Sequence, residues 1–338
     1  MKLTENQRRI LYAVTLNAGR SVAELARMLE LRDHVIRRAL DLFFEANIFL
    51  RRSTWVNTHL LGLDYHVIHI ELPLASISAR KSFLDLLASS EEAAAVVELS
   101  SEAQFELRIV TRNSLHLSQF FESISERFKH PFRVLRCWTT LEMEYSGPCE
   151  PSSGGFSWKP LRLGPPPAPP FTVSVDATDH AVLSALANED YLHLRQLSRI
   201  VGMPAATLQY RVSRLEASGV ISGHFYVMDP KIFHYLPVGI QVRSRALTTQ
   251  EKNRLKSFAH RHPRISWIGF FLGDQSAEIY TLVQDFNQAQ AVVADLSAFF
   301  KETIDSVHMT QQISFSKYST YPYKSYETLV GPTPAQKL

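Results

Sequence analysis

The sequence predicts an α+β fold built twice over, each copy pairing three short helices and a β-rich wing with a βαββαβ sandwich. Three observations predict it. Between Pro148 and Pro170 lie eight prolines and a Ser-Ser-Gly-Gly stretch, a composition that favours extended polyproline II and reads as a semi-rigid spacer. The two flanks repeat each other when position n is laid on n + 172. Ile10, Leu11 and Val14 fall on Val182, Leu183 and Leu186, and Leu25, Leu29 and Leu31 on Leu197, Val201 and Met203. Ile36, Leu40 and Phe43 fall on Leu208, Val212 and Leu215, and Ile48 and Phe49 on Val220 and Ile221, without a gap. Within each flank the apolar period then switches from helical to strand-like.

In the first copy, Thr4 with Gln7 and Ser21 with Glu24 have capping-box spacing and mark two helix starts. A third helix is predicted over Asp33–Ala46. The counterparts are Thr178–Ala187, Leu194–Ile200 and Pro204–Ser218, with Pro204 in the first turn and Gly219 as the stop. β-prone runs follow at Ile48–Val56 and Val220–Met228, each predicted to form a hairpin wing, so that three helices and a wing make a winged helix-turn-helix. The remainder of each copy reads strand, helix, strand, strand, helix, strand. These are Tyr65–Leu72, Ile77–Leu87, Ala93–Leu99, Phe105–Thr111, Leu115–Phe128 and Arg133–Met143 in the first copy. In the second they are Val238–Val242, Thr248–His262, Ile265–Leu272, Glu278–Val283, Asn287–Phe300 and Ser306–Ser316. That order is the ferredoxin-like sandwich. The expected domains are 1–58, 62–146, a linker 147–173, 174–231, 232–319 and a tail 320–338 that docks on a neighbour or stays loose.

Composition narrows the class. With 45% hydrophobic and 20% charged residues, the chain is of globular composition. No apolar run reaches a membrane span's length and no signal-peptide block opens the chain. Cys137 and Cys149 make no disulfide framework, and a reducing cytoplasm is the expected compartment. The net charge of +3 is modest, but residues 1–58 hold ten basic against six acidic groups, an excess of four, whereas residues 177–231 hold five of each.

The run Met203-Pro-Ala-Ala-Thr-Leu-Gln-Tyr-Arg-Val-Ser-Arg-Leu-Glu-Ala-Ser-Gly-Val-Ile-Ser-Gly resembles the recognition helix and wing start of the leucine-responsive/asparagine-regulator (Lrp/AsnC) family. Arg211, Leu215, Glu216, Gly219 and Ile221 carry the likeness, joined by Asp229-Pro230 at the entry to the second domain and Gly273-Asp274 before its third strand. The first copy departs from the pattern, with Ser100-Ser101 at the Gly-Asp turn and Ala46-Asn47-Ile48 at the helix end. The resemblance implies DNA-binding transcription regulation and a RAM/AsnC-type ferredoxin-like domain that mediates dimerisation and often binds an amino acid or similar metabolite.

Recognition helices present side chains to base edges and phosphates in the major groove. The expected DNA-binding residues are Arg32, His34, Arg37 and Arg38 in the first reader and Thr207, Gln209, Tyr210, Arg211 and Arg214 in the second. Gln209 suits bidentate pairing with adenine, and Arg211 and Arg214 suit guanine or phosphate. Such residues on a helix surface are often merely solvated, and the neutral second reader is expected to contribute discrimination more than affinity. Gly273, Asp274 and Gln275 are the effector-site candidates, an ordinary tight turn being the alternative. The expected partners are double-stranded DNA, a small-molecule effector and further copies of a chain already paired within itself as a pseudo-dimer on two unlike half-sites. No membrane, cofactor or metal is expected.

No GxGxxG, GxxxxGK[ST], HExxH or GxSxG motif is present, and a non-enzyme is expected. His66 and His69 fall on opposite faces of a strand and cannot share a metal, and His260 and His262 close a helix. Two-copy chains of this kind also resemble siroheme decarboxylases, whose wing carries Arg-Arg-x-Gly. Here the second wing reads Ile221-Ser-Gly-His-Phe-Tyr and the strand Ile265-Ser-Trp-Ile-Gly-Phe-Phe-Leu-Gly-Asp. That enzyme, or a metabolite-sensing assembly protein without DNA binding, is the alternative reading.

Overall fold

The computed structural model describes residues 3–16, 18–73, 76–147, 159–165, 172–189, 191 and 194–330. Cys149 and most of the Pro148–Pro170 stretch lie outside the described residues. The first copy runs α1 (Glu5–Thr15), α2 (Val22–Leu29), α3 (Asp33–Glu45), β1 (Phe49–Val56), β2 (Asp64–Glu71), α4 (Ile77–Ser89), β3 (Ala93–Ser100), β4 (Phe105–Thr111), α5 (Ser114–Arg127) and β5 (Arg133–Tyr145). A short β6 (Leu161–Leu163) precedes the second copy: α6 (Ala177–Asn188), α7 (Leu194–Val201), α8 (Ala205–Ala217), β7 (Ile221–Met228), β8 (Leu236–Ser244), α9 (Thr249–Arg261), β9 (Ile265–Leu272), β10 (Ala277–Val283), α10 (Phe286–Phe299) and β11 (Ile304–Tyr318), closed by α11 (Tyr326–Val330). No helix among the described residues is long and apolar enough to cross a membrane.

The chain folds into two compact units, and neither is one copy of the repeat. The first unit holds residues 1–55, 140–163 and 222–313, and the second holds 56–139, 164–221 and 314–338. Each unit therefore joins the three-helix segment of one copy to the ferredoxin-like elements of the other.

In the first unit, α1 and α2 start at the capping boxes read from sequence. The Gln7 amide donates to the Thr4 hydroxyl at 3.3 Å while the Thr4 amide donates to Gln7 Oε1 at 2.8 Å, and Ser21 and Glu24 repeat the exchange. Ile10, Leu29, Ile36, Phe43 and Ile48 are fully buried in the helical core, each such side chain contributing about 1.5–3 kcal/mol. Tyr226 of β7 stacks on Phe49 at 4.4 Å. The expected hairpin wings do not form. β1 and β7 are single strands that pair with each other as a two-stranded sheet, because each run holds eight residues without a reversal and leaves an unpaired edge that the other copy satisfies. The four ferredoxin-like strands lie in the order β11-β8-β10-β9, antiparallel from β8 through β9. The inward side of β8 is carried by Val238, Ile240 and Val242, which pack with Leu255, Val292 and Leu296 of α9 and α10. Part of the stretch read as a linker is ordered structure: Leu161–Leu163 of β6 pair with Met143–Tyr145 of β5.

In the second unit the corresponding order is β5-β2-β4-β3, with Ile68, Ile70, Leu107 and Ile109 packed under Phe83, Phe120 and Ile124. α6 begins at a third capping box, Asp176 with Asp179, and α8 begins at Ala205 with Pro204 as its N-cap rather than its first residue. Gly219, at φ +80, ends α8 in a left-handed conformation that favours glycine. Up to Val330 the described part of the tail packs within the second unit. Tyr321 and Tyr323 are fully buried; Tyr321 Oη lies 2.9 Å from His180 Nδ1, and Tyr323 donates to the Val110 carbonyl at 2.7 Å.

Candidate nucleic-acid interface

The apolar spacing of α3 buries Ile36, Ala39 and Phe43 and turns Arg32, His34, Arg37 and Arg38 to the exposed side. None of these four makes an ion pair among the described residues. Arg32 is the N-cap of α3 without a side-chain capping bond, as its guanidinium has no acceptor to offer the helix N–H groups. A helix held by its buried face, with uncommitted cations on the other, is suited to phosphate contact.

α8 is built on the same spacing, burying Leu208, Val212 and Leu215. Thr207, Gln209 and Tyr210 are exposed, Tyr210 at 70%, and Gln209 Nε2 donates to Ser213 Oγ at 3.3 Å. Arg211 does not belong with them. Its Nη1 lies 3.0 Å from Asp176 and 2.7 Å from Asp179, and Arg214 pairs with the same Asp179. Asp179 is 1% exposed, and an uncompensated buried carboxylate is costly, so the two arginines neutralise it and tie α8 to the start of α6. The expectation that Arg211 is displayed to a ligand is corrected on that ground; Arg214 keeps half its side chain exposed but is likewise committed.

The turn from β9 to β10 holds the effector candidates. Gly273 has φ +148. Asp274 is half-exposed and takes a salt bridge from Arg243 at 3.2 Å. Gln275 is 4% exposed, and neither its amide nitrogen nor its oxygen finds a partner among the described residues, an arrangement that native proteins rarely leave unused.

One cluster escaped the sequence. In the second unit Glu106 accepts from Arg108 at 2.7 Å and lies 3.5 Å from His69, all three side chains being buried. Burial alone raises the Glu106 carboxyl, but Arg108 and then His69 outweigh it and hold it below the usual carboxylate range. Strand alternation places these residues on one sheet face, a signal that i, i + 2 spacing in β4 offered and that charge made easy to dismiss. His66, three residues from His69 along β2, bonds instead to Thr111 at 3.0 Å and Thr139 at 3.1 Å, and burial lowers its pKa.

A family model described as winged helix-turn-helix DNA-binding matches residues 175–222. The HTH-type transcriptional regulator FL11 of Pyrococcus horikoshii is 32% identical over 63 residues, which are 19% of this chain and 42% of that protein. An uncharacterized HTH-type transcriptional regulator of the same organism is 34% identical over 59 residues, 38% of its length. The chain thus spans about two fifths of the curated relatives it matches. Among solved structures, the siroheme decarboxylase NirDL aligns over 96% of both chains at 10% identity and a TM-score of 0.60. An AsnC family transcriptional regulator from Agrobacterium tumefaciens aligns over 43% of this chain and 95% of its own, at 22% identity and a TM-score of 0.37.

The expectation of a non-enzyme is corrected by the first of these structures, because the fold that accounts for nearly the whole chain is one on which an enzyme is built. Short catalytic motifs report only sites whose residues adjoin in sequence, and their absence does not exclude sites assembled from distant strands. The chain therefore carries a winged helix-turn-helix segment of DNA-binding type over residues 175–222, and its repeated α+β architecture shares its fold over nearly its whole length with NirDL.

Proposed function

We propose that this chain binds double-stranded DNA and regulates transcription, α3 supplying most of the affinity and α8 most of the base discrimination. The observation that carries the reading is the exposed face of α3, where Arg32, His34, Arg37 and Arg38 stand without ion-pair partners among the described residues. Because α3 and α8 present different side chains, the proposed target has two unlike half-sites. Anisotropy titrations with genomic fragments between about 50 and 200 mM salt test it: steep salt dependence and an asymmetric footprint are expected. No binding in dilute salt, or a perfectly symmetric footprint, overturns it.

A small metabolite, an amino acid being the expected class, is proposed to act at the Gly273–Gln275 turn. Its support is the buried, unpartnered Gln275 amide, to which a polar ligand would supply the missing bonds. Gln275→Leu should abolish any metabolite effect on DNA binding while leaving binding itself intact.

A second reading, chemistry on a tetrapyrrole, is favoured by the match of NirDL to nearly the whole chain. Titration with siroheme tests it: a saturable shift of the visible spectrum at one ligand per chain supports that reading, and an unchanged spectrum removes it.

A further inference from the structure

In the first unit, α9 and the end of α10 border an open groove of about 1080 Å³, just above the usual range of about 300–1,000 Å³ for small-ligand clefts. Its floor is aromatic. Phe258 lies 5.4 Å from Phe299 and 5.9 Å from Phe300, ring centre to ring centre. Phe258 and Phe300 are buried, but Phe299 stands 62% exposed, an apolar ring that water leaves unsatisfied.

Two arginines and one carboxylate line this groove, which leaves it net positive. Arg254, its guanidinium 5.4 Å above the Phe300 ring, and Arg261 both line it and are exposed. They are seven residues apart on one helix, two turns or about 10 Å along the axis. The acidic residue lining the groove, Asp295, is turned to His262 at 3.3 Å. Arg261 and His262 also offset the negative carbonyl end of α9, which leaves Arg254 as the less committed cation.

The repeat supplies an internal comparison. The positions 172 earlier than Arg254, Arg261, Pro263 and Phe299 are Ser82, Ser89, Glu91 and Arg127. The corresponding cavity in the second unit is about 390 Å³, carries Glu91 and Glu92, and is lined in part by Thr328 of the tail. One copy has an aromatic, cationic groove, and the other has a small, mixed-charge one.

We propose that the groove between α9 and α10 binds an aromatic carboxylic acid, its ring on the exposed Phe299, which Phe258 and Phe300 back from below, and its carboxylate on Arg254 and Arg261. Guanidinium groups pair with planar carboxylates through charge-assisted hydrogen bonds, and offset aromatic packing favours planar rings over aliphatic bulk. The site is independent of the DNA-reading helices and of the Gly273–Gln275 turn.

Calorimetric titration of the full chain with 2-naphthoate tests the proposal, with 2-naphthamide as the neutral comparator. Saturable binding at one ligand per chain is expected, with the amide weaker by about tenfold. Arg254→Gln combined with Arg261→Gln should weaken 2-naphthoate by about tenfold, and Phe299→Ser several-fold, with circular dichroism unchanged. Because the amide comparison uses the unaltered chain, it decides the matter even if a variant misfolds. Absence of binding at millimolar ligand, equal binding of acid and amide, or two equivalent sites per chain overturns the proposal.

Discussion

α3 and α8 occupy the same place in two copies of one design, and they differ in what their arginines do. Both are thirteen-residue helices buried along one stripe. On α3, Arg37 and Arg38 point away from the core without a carboxylate partner among the described residues. On α8, Arg211 and Arg214 are drawn to Asp179. At the position of Asp179 the first copy has Gln7, which completes its capping box without a charge. The arginines also stand at different places: in the 172-residue repeat Arg37 and Arg38 fall on Gln209 and Tyr210, whereas Arg211 and Arg214 fall on Ala39 and Leu42, so it is their position on the helix, together with Asp176 and Asp179 of α6, that commits the second pair. Duplication conserves the packing stripe and leaves the charge pattern open to drift.

The largest expected effect falls on α3. Replacing Arg37 and Arg38 with alanine should cost roughly ten- to hundredfold in DNA affinity near 0.1 M salt and reduce the salt slope by about two. An unchanged slope would take α3 out of the interface and erase the comparison. Asp179→Asn attacks the other side. It should destabilise the second reader by about 1–3 kcal/mol, read as a lower Tm, through the lost ion pairs and a weakened α6 cap. It also releases Arg211 and Arg214, so a steeper salt slope is expected if α8 lies against DNA; an unchanged slope places α8 away from phosphate. Gln209→Ala should relax preference at a single base pair by about 1–3 kcal/mol without altering the slope, measured on a set of single-substituted duplexes.

A smaller effect is expected from pH. His180 of α6 is 2% exposed, and burial lowers its pKa below 6.5. Its counterpart in the first copy, Arg8, is exposed. A histidine whose folded pKa is depressed stabilises the fold above its unfolded value and loses that contribution as pH falls. Hydrogen exchange in α6 and around Tyr321 should therefore accelerate between about pH 7.5 and 5.5, corrected for intrinsic rates, while α1 does not respond. His180→Gln should flatten the dependence in α6; equal acceleration in both readers would break the contrast.

Helices and strands were legible because each depends on neighbours a few residues away. Thr4–Gln7 and Ser21–Glu24 announce their helix starts, and alternation from Val238 to Val242 announces a buried strand face. The exposed side of α3 was legible for the same reason, its buried stripe being visible in Ile36, Ala39 and Phe43. Arg211 was misplaced because its partner, Asp179, is 32 residues away. The buried group of His69, Glu106 and Arg108 was missed because charged residues on a strand normally mark its wet face, and only the folded sheet shows that this face is dry.

Sequence alone determined the repeated α+β plan, the helix starts and stops, and which face of each element is apolar. These follow from backbone hydrogen bonding and the helical and strand periods, which act over a few residues. Tertiary structure decided which strand completes which: that β1 pairs with β7, that the three helices of one copy share a compact unit with the sandwich of the other, and that Tyr321 and Tyr323 pin the tail. Those outcomes depend on unpaired strand edges and buried polar groups finding partners more than a hundred residues away, a competition among all available edges that no local pattern records.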